Sequence, residues 1–196
     1  MGQADNGRDY FHVEIDDEAR VAPTASIVGD VRIARDVTLF SGVAIRGDYG
    51  ESVTIGERSN VQENSCLHVD RGCPTVVGKD VIIGHGALVH GCTIDDHVLI
   101  GMGAIIMNGA HVGQDACIGA GAVVTEHTEI PERGVAVGIP AKCVRLLTDA
   151  EVEKNRGDAQ HYVEIGKRME RDGLMVSGAS LRAAKGHGMP TISLSR

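Results

Sequence analysis

Tryptophan is absent from this chain, and phenylalanine occurs only twice and tyrosine three times in 196 residues. Aromatics make up 3% of a chain that is 42% hydrophobic, so its interior has to be filled by small and branched aliphatics, which suits a narrow, repetitive core. No apolar run approaches the ~20 residues that a membrane-spanning helix needs. The polar start Met1–Asp9 is unlike a signal peptide, so the expectation is a cytoplasmic chain without a membrane partner. Clustered Lys and Arg are also missing, and the net charge is −8; nucleic acid is a poor partner for such a chain, because phosphate binding needs concentrated positive charge. Cys66, Cys73, Cys92, Cys117 and Cys143 are odd in number and form no CxxC pair. Neither a disulfide framework nor a cysteine zinc knuckle is favoured, which leaves most of them as small core or interface residues.

What is abundant is a six-residue period. Aliphatics recur at Ile27, Ile33, Leu39 and Ile45, at Ile55, Val61 and Leu67, at Val77, Ile83 and Val89, and from Ile94 through Ile100, Ile106, Val112, Ile118 and Val124 to Ile130. Six matches neither the 3.6 of a helix nor the 2 of a half-buried strand; it suits short strands joined by tight turns. Three hexapeptides close a triangular coil of about 18 residues, and coils stack about 4.8 Å apart by parallel pairing. Gly, Asn and Asp, abundant between the anchors, tolerate the positive φ that corners demand. The fold class expected is all-β, a left-handed parallel β-helix forming one domain.

The period breaks twice, at 46–54 and at 68–76, and insertions in repeat proteins are loops that often carry function. The expected organisation is a mobile N-terminal segment over 1–11, the solenoid over 12–147, a helix over 148–171 packed along it, and a mobile tail over 172–196. The helix is announced by the capping-box pattern Thr148-Asp149-Ala150-Glu151 and by Val152, Ala159, Tyr162, Val163 and Met169.

Rotation of the hexapeptides over three sides puts Ile45, Leu67 and Val89 on one side, so Arg46, His68 and His90 form a column with the histidines one rung apart. Two such imidazoles can share a metal at about 2.0–2.1 Å. His85 follows an anchor of the preceding side and is poorly placed to join them within one chain, but a neighbour in a threefold assembly can supply it. Each site then takes His68 and His90 from one chain and His85 from the next. Three imidazoles leave a fourth position for water, whose pKa a metal lowers to near neutrality. Zinc fits these ligands, and iron or cobalt also suits imidazole. The remaining histidines show no such grouping and read as solvated.

Arg46-Gly47-Asp48, Asn60-Val61-Gln62-Glu63-Asn64, His68, and Gly84-His85-Gly86-Ala87-Leu88-Val89-His90-Gly91 resemble the γ-class carbonic anhydrases, as does Val137-Gly138-Ile139-Pro140-Ala141-Lys142, a motif also found in hexapeptide acyltransferases. The resemblance covers roughly residues 12–170. It implies a homotrimer that hydrates carbon dioxide, with His68, His85 and His90 as metal ligands and an ion pair of Arg46 and Asp48 across subunits. It further implies that Gln62 hydrogen-bonds metal-bound water or bicarbonate, that Asn60 lines the pocket, and that Tyr162 is an active-site tyrosine. The chain departs from the archetypal members in its short loop after His68, where Arg71 stands near the position of a proton-shuttling glutamate. Tyr49 replaces a second loop acid and Glu63 an aspartate, leaving Glu63 and Asp70 as candidates to move protons. An acyl-CoA thioesterase, a hexapeptide acyltransferase and a non-catalytic metal-binding trimeric module are the competing readings. A small-molecule substrate is favoured, since no basic patch offers itself to a CoA phosphate.

Overall fold

The computed structural model describes residues 12–183. Each hexapeptide contributes one short strand, and the chain visits three sheets in rotation, so that every sheet grows by parallel pairing of strands from successive coils. Sheet A has seven strands, sheet B nine and sheet C six, and together they form the left-handed solenoid, except that the two outermost strands of sheet B, Lys142–Leu146 and Val176–Ser177, cap its ends by antiparallel pairing. The anchors meet rung on rung. On sheet C, Ile27, Ile45, Leu67, Val89, Ile106 and Val124 lie in register and are buried. Matching ladders run up sheet B through Leu39, Val61, Ile83, Ile100 and Ile118, and up sheet A through Ile33, Ile55, Val77, Ile94 and Val112. The bore is too narrow for aromatic rings, and Phe40 lies outside it, in a second apolar cluster beneath the helix.

Corners carry positive φ, and not only at Gly, Asn and Asp. One corner stacks Asp36, Arg58, Asp80, His97, Asp115 and Arg133, all with φ between 54° and 61°. Their side chains pair along the stack, as in the two-pronged contact of Arg58 with Asp80 at 2.8 and 2.6 Å, which helps to offset the cost of left-handed backbone.

Helix α1 spans Asp149–Arg171 behind a capping box in which Thr148 Oγ1 accepts from the Glu151 amide while the Glu151 carboxylate accepts from the Thr148 amide. Such a cap contributes about 1 kcal/mol. The helix buries Val152, Ala159, Val163 and Gly166 against sheet B, and Arg156 clamps the corner residue Asp115 at 3.0 and 2.9 Å. Gly166 is required there, because a Cβ would stand 2.3 Å from Thr38 Oγ1.

The expected mobile tail from Asp172 is corrected as far as Ala183. Gly173 turns the chain, Met175 inserts into the cluster around Phe40, Val176–Ser177 pairs antiparallel with Arg20–Val21, and a short helix α2 follows over Gly178–Ala183. The apolar run Leu174-Met175-Val176 was too short to show periodicity, yet it closes the first coil. The expectations for 1–11 and 184–196 lie outside the described residues. No helix among the described residues is long and apolar enough to cross a membrane.

Candidate metal centre

Sheet C carries one group of the expected residues. The register places Arg46 beside His68 and His68 beside His90, as the phase of the repeat requires. His68 Nδ1 and His90 Nε2 face one another at 2.9 Å. Their far nitrogens are both engaged: His68 Nε2 donates to Asp48 Oδ1 at 2.9 Å, and His90 Nδ1 donates to Asn108 Oδ1 at 2.5 Å. Asp48 is buried at the start of the first loop insertion, and its other oxygen takes Arg46. This ion pair forms within the chain, where the resemblance implies a pair across subunits.

The second insertion folds back over the column. Asp70 and Cys73 bridge, the Gly72 amide donates to Glu51 Oε1 of the first insertion at 3.0 Å, and the buried Thr75 hydroxyl bonds both the His68 carbonyl and, at 2.9 Å, the Gly91 amide. One threonine thus fixes the backbone beside both histidines. Asp70 also accepts from Asn108 Nδ2 at 3.0 Å. The Arg71 amide, opposed by partial desolvation and joined by Asn108 and the nearby histidines, holds the Asp70 carboxyl below its ordinary range. Burial pushes the Cys92 thiol up to about 12, so it offers no thiolate.

Sheet B carries the other group. Asn60 and Gln62 are buried on one strand and its turn, with Gln62 Nε2 donating to Asn60 Oδ1 at 3.2 Å and Asn60 Nδ2 left without a partner. Glu63 accepts from His85 Nδ1 at 2.6 Å, and the His85 ring is half exposed. A groove of about 660 Å³ between sheet B and α1 is bordered by Gln62, His85, Leu99, Met102 and Tyr162. Tyr162 also packs edge-on against Phe40, with centroids 6.0 Å apart, so it serves helix docking as well.

Within the chain His85 does not join His68 and His90, and no set of three or more His, Cys, Asp or Glu among the described residues is arranged to hold an ion. The pair on sheet C nevertheless fits one. A neutral imidazole has one N–H and one lone pair, and with both far nitrogens donating, the two lone pairs face each other. That arrangement is repulsive unless a shared proton or a metal ion lies between them. Two ligands of one tetrahedral zinc stand about 3.3 Å apart, so the pair at 2.9 Å has to open by about 0.4 Å to take one.

Asn108 and Thr75 were not singled out from the sequence. Asn108 stands two residues after Ile106, the next anchor on that side, one place beyond the phase of His68 and His90, so counting by phase points to Met107 and passes it by. Two other histidines are less free than their lack of grouping suggests. His97 is largely buried 3.8 Å from Asp80, and His111 donates to Asp95 at 2.9 Å and to Glu129 at 2.8 Å. Burial opposes charge on His111, but the two carboxylates outweigh it and raise its pKa.

A solenoid of this kind defines a hexapeptide-repeat protein, and comparison with known proteins agrees. Residues 91–126 match the family described as bacterial transferase hexapeptide (six repeats). The chain is 42% identical over 156 residues to a probable carbonic anhydrase of Methanocaldococcus jannaschii, covering 80% of this chain and 98% of that one. It is 40% identical over 159 residues to the mitochondrial gamma carbonic anhydrase 1 of Arabidopsis thaliana, covering 78% of this chain but spanning only 58% of the plant protein's length. Among solved structures, a hexapeptide transferase family protein from Anaplasma phagocytophilum superposes with a TM-score of 0.76 at 31% identity, over 79% of this chain and 91% of that one. The chain belongs to the γ-class carbonic anhydrase-like family of hexapeptide-repeat proteins.

Proposed function

We propose that this chain is a metal-dependent carbonic anhydrase-like enzyme that interconverts carbon dioxide and bicarbonate. Zinc is held by His68 and His90 of one chain and by His85 of a neighbour in a homotrimer. The observation that carries this reading is the facing of His68 Nδ1 and His90 Nε2 at 2.9 Å with both far nitrogens engaged as donors. When bound, such an ion acidifies water, so that hydroxide is available near neutral pH.

The chain's own residues supply the rest. Asp48 orients His68, and Glu63 does the same for His85. Asn60 steadies the Gln62 amide, whose remaining capacity serves water or bicarbonate at the groove. On sheet C, Cys66 and Leu88 are exposed and in register, an apolar strip beside the histidines that suits contact with a second copy. Proton export is the weak point. Glu63 is occupied by His85, and Asp70 is too acidic to accept protons well near neutrality. Hydration is therefore slow and accelerates with added imidazole buffer.

A second reading rests on the groove. Ile82, Leu99, Met102, Ile118 and Ile165 make it apolar and far larger than carbon dioxide requires, and thioester hydrolysis would use the same ion on an acyl carbonyl. Metal content per chain with stopped-flow carbon dioxide hydration, on wild type and His90→Ala, tests the proposal. About one metal per chain and activity lost in the variant support it; stoichiometric metal without hydration, but with acyl-CoA cleavage, favours the second reading. Absence of bound metal contradicts both.

A further inference from the structure

The mechanism above gives no task to Asp70 or Asn108, although both lie within one hydrogen-bonded chain ending on His90. Asn108 Nδ2 donates to Asp70 Oδ2 at 3.0 Å, and Asn108 Oδ1 accepts from His90 Nδ1 at 2.5 Å. An amide is ambiguous, since rotating it by half a turn exchanges its donor and acceptor ends. An ionised carboxylate is not, because it only accepts. The carboxylate of Asp70 therefore decides which way the Asn108 amide points, and that decides which nitrogen of His90 keeps its proton.

We propose that Asp70 and Asn108 are positioning residues for the metal: Asp70 locks the Asn108 amide, and the locked carbonyl holds His90 in the tautomer whose Nε2 lone pair faces His68. The local backbone is shaped for this contact. Gly91, at φ 56°, leaves the space that Asn108 fills, since a Cβ there would stand 2.7 Å from Asn108 Oδ1 and 3.0 Å from Cys73 Cβ. The loop that carries Asp70 is held over the site by its Asp70–Cys73 bridge and by Glu51. The short loop thus has a use other than proton transfer. Its acid faces the outer side of a ligand, and disturbing such outer partners typically lowers metal affinity about 10- to 100-fold.

This inference rests on the metal reading of the preceding subsection, and its test separates the two. Zinc affinity is measured by chelator competition on the full chain for wild type, Asp70→Ala, Asn108→Ala and the double variant, with the cobalt-substituted visible spectrum as a second readout. Each single variant is expected to bind about 10- to 100-fold more weakly. The double variant should be no weaker than Asn108→Ala, because Asp70 acts through the amide. The decisive pair uses Asn108→Asp, whose carboxylate accepts from His90 without any lock. In that background Asp70→Ala should cost no affinity, and it should even relieve a like-charge contact. Additive losses, or an Asp70→Ala penalty of the same size in both backgrounds, would overturn the inference and mark Asp70 as a general loop-stabilising residue. So would unchanged affinity in Asp70→Ala while wild type binds zinc, and that result leaves the metal reading intact. Wild type that binds no zinc or cobalt removes both.

Discussion

Sheet C and sheet B each carry part of the candidate centre, and they hold it differently. On sheet C the histidines are fixed from all sides: by the parallel register, by Thr75 at the backbone, and by Asp48 and Asn108 at the far nitrogens. On sheet B, His85 stands half exposed with Glu63 as its partner, beside a groove whose other wall is a docked helix. The solenoid itself positions the histidines of both halves, and only the groove beside His85 depends on α1. On the proposed reading neither is sufficient, and each is completed by the other half of a neighbouring chain.

The largest effect on this contrast should come from Leu67→Ala. Leu67 is fully buried, and it precedes His68 on the rung opposite Ile45 and Val89. Truncation leaves a cavity in a narrow bore and costs about 2–5 kcal/mol, measurable by urea denaturation. Metal affinity should fall with it, while a similar loss without any change in affinity would mean that the core does not position the pair. Thr75→Val keeps shape but strips the hydroxyl and its two hydrogen bonds, while the His68 carbonyl and the Gly91 amide keep the 3.1 Å bond between them, for about 1–3 kcal/mol in total. Its distinguishing readout is again metal affinity, which should drop on the sheet C side with the α1 groove unchanged.

For sheet B the corresponding change is Gly166→Ala. The added methyl meets Thr38 Oγ1 at 2.3 Å and Arg20 Cδ at 3.3 Å, so the helix must lift. A destabilisation of about 1–3 kcal/mol is expected, with greater amide exchange in α1 and with zinc affinity nearly unaffected. Unchanged exchange would show that the helix tolerates the methyl and that the close fit is incidental.

The smallest effect concerns pH. The Arg145 guanidinium, with the Thr148 amide and hydroxyl, lowers the Glu151 carboxyl to about 2. At Asp115, burial pushes the pKa up, but the Arg156 guanidinium and the Gln114 amide outweigh it and lower it. A depressed folded-state pKa stabilises above the ordinary carboxylate range, and that contribution fades as pH falls toward the folded value. Stability of α1 should therefore weaken between about pH 4.5 and pH 2, and Glu151→Gln should flatten the profile. A variant with the wild-type profile would contradict this assignment.

Much of the fold could be read from the sequence because the solenoid repeats one rule. Once the anchors were in phase, the pairing of Arg46, His68 and His90 followed from counting, and the register agrees. The capping box at Thr148 is equally local. The period does not encode what its interruptions do. Asp70 and Thr75 lie in an insertion, and their contacts depend on how that loop folds back. Asn108 lies one place out of phase with the histidines, and a lone asparagine at a corner reads as a turn residue until its neighbours are known. The strand at Val176–Ser177 was hidden for a related reason, since its partner lies at Arg20–Val21 and no local pattern points so far back.

The central claim, that a functional centre forms between chains, is tested most directly by mixing two variants that are each inactive. His85→Ala chains keep the sheet C half, and His90→Ala chains keep the other half. Co-refolded at equal amounts into random trimers, about one site in four should unite an intact half from each. The proposal predicts recovery of roughly a quarter of wild-type metal content and hydration activity. Mixed trimers of verified composition that remain as metal-free and inactive as the separate variants would contradict it.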